Sequence, residues 1–271
     1  MVDYTEITSE KFRTPRLEIY PNRVAENAKS IISKCHQSGI SVACVTKVVC
    51  AHPAVAFALE ESGADIIADS RTENLKKLRA AGLKGPFLLL RLPAKSLASE
   101  VVAAADISLN SNIETIKALG AAAVAAGKIH RVIIMVDVGD LREGVWPDKA
   151  PELVCNAASV KGIEVIGIGC NLACYGGVIP SPENMRLLVN TTEKCRTASK
   201  LPLQTICGGN SSGLPIMSEG RLPNGINLYR IGEAIILGRN VIDRSPWPGT
   251  RQDTVIAVAE VIESEVKPSM P

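Results

Sequence analysis

The sequence predicts an α/β fold, a (β/α)8 TIM-type barrel. Three observations point there. Eight short runs rich in Val, Ile and Leu alternate with longer stretches whose apolar residues recur every three or four positions. The short runs are apolar on nearly every residue, as strands buried on both faces of a parallel sheet are. The chain has 271 residues, about what eight such units occupy in one domain. An open doubly wound sheet is the alternative, and no GxGxxG opens a helix after the first strand to support it.

In chain order, RLEIY (16–20) and a helix over about 22–37 precede the barrel. The barrel strands are SVACVT (41–46), DIIA (65–68), PFLLL (86–90), DISL (106–109), RVIIMVDV (131–138), IEVIGIG (163–169), LQTIC (203–207) and INLYRI (226–231). Helices are predicted over 53–62, 71–81, 112–127 and 182–200. The first opens on a proline suited to an initial turn, and Gly63, Gly82 and Gly127 stand where helices should stop. The run TVIAVAEVIE (254–263) follows the last unit with partial alternation. A lone strand leaves backbone groups unpaired, so this run either meets RLEIY or begins a further domain. The expected division is a barrel with its strand–helix extension over 1–250, then the start of a mostly absent C-terminal β-domain over 251–271.

Composition narrows the function classes. With 46% apolar and 21% charged residues the chain can bury a full core, which excludes a disordered or collagen-like protein. A net charge of +2 without a run of like charges, and only 3% aromatic residues, provide neither the basic stripe nor the stacking platform of a nucleic-acid binder. Apolar stretches such as 121–126 fall far short of the roughly 18 residues that span a bilayer, and MVDYTEITSEKFRT lacks a secretory apolar core. No membrane partner and a cytoplasmic address are expected. The eight cysteines (Cys35, Cys44, Cys50, Cys155, Cys170, Cys174, Cys195 and Cys207) form no CxxC pair and read as buried reduced thiols, with no metal.

A barrel of this kind carries its active site at the carboxyl ends of its strands. Standing there are Lys47, then Asp69 and Ser70, Arg91, Asn110, 137–142, Asn171, GGNSSG (208–213), and Arg230 with Gly232 and Glu233. For an arbitrary lysine the plain reading is a snorkelling surface group. Lys47 ends VACVTK, a run with no other charge, and an apolar neighbourhood would favour the neutral, nucleophilic amine that makes a Schiff base. GGNSSG reads either as a plain turn or as backbone N–H groups and hydroxyls that bind a phosphate monoester. A lysine, a phosphate loop and cations at one mouth together point to pyridoxal 5′-phosphate.

The motifs VTKVVCAH, IADSRTENLKKL, VIIMVDVGDLREG, GIGCNLACYGGVIP, ICGGNSSGLP and LYRIGEAIILG together resemble the alanine racemase-like (fold-type III) pyridoxal 5′-phosphate enzymes, most closely their ornithine racemase group. The resemblance runs from about Leu17 to Pro271. It implies that Lys47 forms the internal aldimine and then serves as α-proton acid and base, and that Arg142 contacts the cofactor's phenolate oxygen. It further implies that Asn210, Ser211 and Ser212 bind the phosphate, completed by the backbone around Gly232 and Glu233, while Arg230 faces the pyridine nitrogen. An arginine there cannot accept a proton, so the ring nitrogen stays largely unprotonated and proton return dominates over transamination.

Two positions depart from alanine racemases themselves: Asn171 replaces a histidine beside the ring, and Ala51 a tyrosine on the phosphate. A third departure is larger. The opposite-face tyrosine of alanine racemases comes from the partner subunit's C-terminal domain, which would begin where VIESEVKPSMP stands. Cys174 and Tyr175 are the candidate second acid/base in its place, Arg91 a candidate for the substrate carboxylate, and Asp69 or Asp140 for a distal ammonium. The implied function is racemisation of L- and D-ornithine, a small-molecule amino-acid substrate, by a chain that can form a homodimer. A non-catalytic cofactor-binding homeostasis barrel is the alternative. A metal-assisted lyase or aldolase on the same barrel lacks its His/Cys/Asp ligand set.

Overall fold

Eight parallel strands close on themselves in the computed structural model, which describes residues 14–174 and 177–270. They are β2 (Ser41–Val45), β3 (Ile66–Asp69), β4 (Phe87–Leu89), β5 (Ile107–Asn110), β6 (His130–Met135), β7 (Ile163–Gly169), β8 (Thr205–Asn210) and β9 (Leu228–Ile231). Each pairs with its sequence neighbour, and β2 closes on β9 with Ala43 opposite Arg230 and Cys44 opposite Ile231. The predicted (β/α)8 barrel is therefore the fold, and the open sheet is not.

Helices follow the strands: α2 (Pro53–Glu61), α3 (Thr72–Ala80), α4 (Ala98–Ala104), α5 (Ile113–Ala125), α6 (Ala150–Ala158), α7 (Pro182–Ser199), α8 (Leu214–Ser218) and α9 (Glu233–Leu237). Local chemistry starts them. Ser181 and Asn184 form a reciprocal capping box at α7, and the Asn112 side chain accepts from the N–H groups of Glu114 and Thr115 at α5. Gly63, Gly82 and Gly127 all adopt positive φ just past α2, α3 and α5.

Strand alternation sorts the core into two layers. Ala43, Val45, Ala68, Leu88, Ile133 and Leu228 belong to a cluster inside the barrel. Their neighbours in sequence, such as Val42, Cys44, Phe87 and Tyr229, pack outward in the larger cluster shared with the helices. The predicted strand 131–138 stops earlier, at Met135. Beyond it Val136 bridges Val145, because the chain turns back on itself through Gly139 and Gly144.

Outside the barrel, β1 (Arg16–Ile19) pairs antiparallel with β10 (Val255–Val258), placing Arg16 opposite Val258 and Ile19 opposite Val255. The meeting of RLEIY with the last apolar run is thus realised. Helix α1 (Pro21–Gln37) leads from this ribbon to β2. Fully buried Asn27 on α1 donates to the Ile235 and Arg251 carbonyls, each at 2.9 Å, and accepts from the Arg251 N–H at 2.7 Å.

Candidate active site

Lys47 opens a short 3-10 turn just past β2 and is exposed. This corrects the expected apolar enclosure: the apolar residues of VACVT pack within and around the barrel wall, while the lysine stands beyond the strand's end. Its predecessor Thr46 is buried and donates its hydroxyl to Asp69 Oδ2 at 2.7 Å. Asp69 Oδ1 accepts from the Arg71 N–H at 3.0 Å and from Asn74 Nδ2 at 2.9 Å. Asp69 is fully buried, so its carboxylate fastens Thr46 and α3 and is closed to a substrate ammonium, contrary to expectation.

The segment after β6 folds back over the strand's end. The Asp137 N–H donates to the Val145 carbonyl, and the Val145 N–H to Met135, both at 2.9 Å. Gly144 has φ +117°, and a Cβ there would lie 2.6 Å from the Asp137 nitrogen, so only glycine allows this approach. Asp137 stabilises the turn by accepting from the Gly139 and Leu141 N–H groups at 2.8 and 3.2 Å. The fold-back carries Arg142 to a cluster of partners. Its Nη2 donates to Glu143 Oε1 at 2.9 Å, its Nη1 to Cys174 Sγ at 3.3 Å, and its Nε lies 3.6 Å from Asp140 Oδ2. Asp140 is 1% exposed and also accepts from Asn171 Nδ2 at 3.2 Å, so it too is enclosed by the chain's own donors instead of open to a distal ammonium.

Asn171 joins both sides of the mouth. Its Oδ1 accepts from Asn210 Nδ2 at 3.1 Å and from an Arg230 Nη2 at 3.3 Å, and that same Nη2 donates to the Cys170 carbonyl at 2.6 Å. Asn210 Nδ2 also donates to the Leu172 carbonyl at 2.8 Å, and Asn210 Oδ1 accepts from the Ser212 N–H at 2.8 Å. Arg230 is 5% exposed, yet its Nε has no hydrogen-bond partner among the described residues. Burial opposes its charge, but Cys207 and then Glu143 favour it, and the net effect raises it above the ordinary arginine range. A buried guanidinium with one unpaired donor is a group awaiting an acceptor.

The loop after β8 lies beside that guanidinium. Ser211 Oγ accepts from the Gly232 and Ala234 N–H groups at 3.4 Å each, and Ser212 Oγ donates to the Leu172 carbonyl at 3.3 Å. A Cβ on Gly232 would stand 2.9 Å from Val45 Cβ, so the turn after β9, which Ser211 joins to the β8 loop, lies close to the strand end that carries Lys47. The Glu233 side chain is drawn away to Arg244, leaving only its backbone for the loop.

Of the other sequence candidates, Arg91 and Cys174 are exposed beside the strand ends, and Tyr175 lies outside the described residues. Cys174 and Cys50 are exposed, which corrects the expectation of uniformly buried thiols, because both sit in turns beyond strands instead of within the wall. The expectation holds for Cys35, Cys44, Cys170, Cys195 and Cys207; burial pushes the Cys35 thiol up to about 12. Glu143 was not anticipated. The signal for it lies in the DLREG string itself, where a carboxylate directly follows the implied cofactor arginine.

Comparison with known proteins identifies the family and the fold. The chain is 39% identical over 258 residues to the ornithine racemase of Acetoanaerobium sticklandii, covering 95% of this chain and 72% of that one. It is 38% identical over 257 residues to the lysine racemase of Thermotoga maritima, with the same coverage of each. Among solved structures, the alanine racemase of D-cycloserine-producing Streptomyces lavendulae superposes with a TM-score of 0.71 at 24% identity, over 90% of this chain and 63% of that one. This chain thus spans less than two thirds of that structure's length. D-threonine aldolase from Filomicrobium marinum shares the fold at a TM-score of 0.70 and 18% identity, over 88% of this chain and 67% of that one. The profile of the family described as alanine racemase, N-terminal domain, matches residues 19–240, nearly the whole of the barrel and the helix before it, and the chain belongs to that family.

Proposed function

We propose that this chain is a pyridoxal 5′-phosphate-dependent amino-acid racemase acting on ornithine. The observation that carries the reading is the buried Arg230–Asn171–Asn210 network, with its unpaired Arg230 Nε, set at the same mouth as exposed Lys47. The identities to ornithine and lysine racemases point to diamino acids.

The donor set suits that cofactor. Ser211, Ser212 and the N–H groups of Gly232 and Glu233 would take the phosphate, while Asn210, expected in that set, has its side chain occupied by Asn171, the Leu172 carbonyl and the Ser212 N–H and positions the loop; Arg230 would take the ring nitrogen, Arg142 the phenolate oxygen and Lys47 the aldehyde carbon. When bound, the cofactor supplies an aldehyde that captures amines and an aromatic ring that draws electrons from the substrate Cα. Asn171 orients Arg230 through its Oδ1 and ties it to Asp140 through its Nδ2. Arg230 can only donate, which leaves the acceptor opposite it without a proton. Lys47 moves the proton at one face of Cα. Cys174, held by Arg142 Nη1, or the adjacent Tyr175 serves the other face, and Arg91 holds the substrate carboxylate. The exposed apolar side chains of Val48, Leu141, Trp146 and Ile179 border the mouth and would be covered in a homodimer. Among the described residues no helix is long and apolar enough to cross a membrane.

The test is proton NMR of L-ornithine in D2O with cofactor-loaded protein. The α-proton signal should disappear and D-ornithine accumulate, and Lys47→Ala should abolish both the exchange and the cofactor's absorbance at visible wavelengths. An α-proton that persists beside an intact cofactor spectrum would overturn the racemase reading in favour of a carrier.

A further inference from the structure

We propose that Glu143 binds the distal ammonium of the substrate and so sets the preference for diamino acids. The inference rests on the racemase reading above and deepens it.

Five carboxylates stand close to the strand ends, and their surroundings separate them. Asp69 accepts three hydrogen bonds from Thr46, Arg71 and Asn74 and is sealed from solvent. Asp137 is buried under the N–H groups of Gly139 and Leu141. Asp140 is enclosed by Asn171, Arg142 and the Cys174 N–H. Glu233 is turned to Arg244. Glu143 differs from all four. Its Oε1 is held by Arg142, while its Oε2 takes no hydrogen bond among the described residues, and its side chain keeps 19% of its exposure. One oxygen is fixed in place and the other is open.

The position is also suited to the task. The fold-back closed by Val145 and Gly144 pins the backbone beside Glu143 over the end of β6. From there the carboxylate contributes to the charge environment of Arg230, so its field reaches the floor of the mouth where an unpaired, buried Nε awaits a ligand. Charge counting points the same way. Of the three carboxylates in residues 137–143, Asp137 and Asp140 are occupied by the chain's own donors, and Glu143 keeps an oxygen for a further cation. Lys47, Arg91 and Arg230 supply the opposite sign to an amino acid's carboxylate and to the cofactor. A site so divided accepts a substrate bearing a cation at its far end, gains nothing from one ending in methyl, and repels one ending in carboxylate.

The experiment compares L-ornithine with L-norleucine, which carries a methyl where ornithine has its ammonium. Dissociation constants for both are measured by titration of the loaded protein, alongside kcat/KM for α-proton exchange. In Glu143→Gln the ornithine-to-norleucine preference should fall about 10- to 100-fold in affinity, the range of a charge-assisted hydrogen bond. Glu143→Asp, which keeps the charge, should retain part of the preference. A preference unchanged in Glu143→Gln, or losses equal for the two ligands, would overturn the inference and leave Glu143 only as a support for Arg142. The affinity measurement decides this even where no turnover is seen, whereas absence of α-proton exchange from both ligands in the unaltered protein would instead count against the racemase reading.

Discussion

Acidification should weaken this barrel through one histidine. His130, at the start of β6, is 2% exposed and its Nε2 lies 2.8 Å from Ser108 Oγ. Burial pushes it down to about 4, with Asp106 opposing and Arg131 adding to the effect. In the unfolded chain the same imidazole binds its proton near 6.5, so between those values the unfolded state holds more protons and stability falls as pH falls. At about 1.36 kcal/mol for each pH unit, the full interval is worth about 3 kcal/mol, of which about 1 is lost by pH 5.5 and most of the rest by pH 4.5. His130→Gln keeps a hydrogen-bonding amide near Ser108 and removes the titration. Urea unfolding of both proteins at pH 7, 5.5 and 4.5, with equal cofactor loading, isolates the histidine and its coupling to Asp106, because the contributions of carboxylates remote from it cancel in the comparison. The unaltered protein should lose about 2 kcal/mol more than the variant between pH 7 and 4.5. Parallel pH dependences would refute the assignment of that loss to His130.

Two further substitutions test the framework. Asn27→Ala should cost about 2–4 kcal/mol, since it strips three hydrogen bonds from a sealed site and leaves the Ile235 carbonyl and the Arg251 backbone without their partner; urea titration measures it. Gly232→Ala should lower affinity for pyridoxal 5′-phosphate at least about tenfold, because its Cβ would press on Val45 and displace the N–H that faces Ser211; fluorescence titration of cofactor-free protein reads it directly.

The barrel was legible because its strands are covered on both faces, which turns each into an unbroken apolar run. Helices α4 and α6 carry weaker signals: α4 spans only Ala98–Ala104, too few turns for a period to emerge, and α6 opens on Lys149 without a capping side chain. At the site, Lys47, Asn210 and Arg230 could be read from their positions at strand ends. Asp69 departs from the mouth through parity. In IIAD, Ala68 faces the barrel interior while Ile67 belongs to the outer layer, so Asp69 continues the outward set toward α3 and away from the mouth. Alternation along β3 contains that information. The Arg142 cluster could not be read the same way, because Cys174 and Asp140 come from different strand-end segments and meet only when the fold-back after β6 has formed.

The ribbon of β1 and β10 joins segments about 240 positions apart. Tyr20 donates to the Thr254 carbonyl, Arg23 reaches Asp253, and Asn27 grips Arg251, so α1 and the stretch beyond α9 are laced together at successive points. Two four-residue strands cannot hold alone, and their persistence depends on that lacing. Amide protons of 16–27 and 251–258 should therefore open to solvent as one cooperative unit, with a shared exchange free energy below that of the barrel strands. In exchange terms these two distant stretches behave as a single segment.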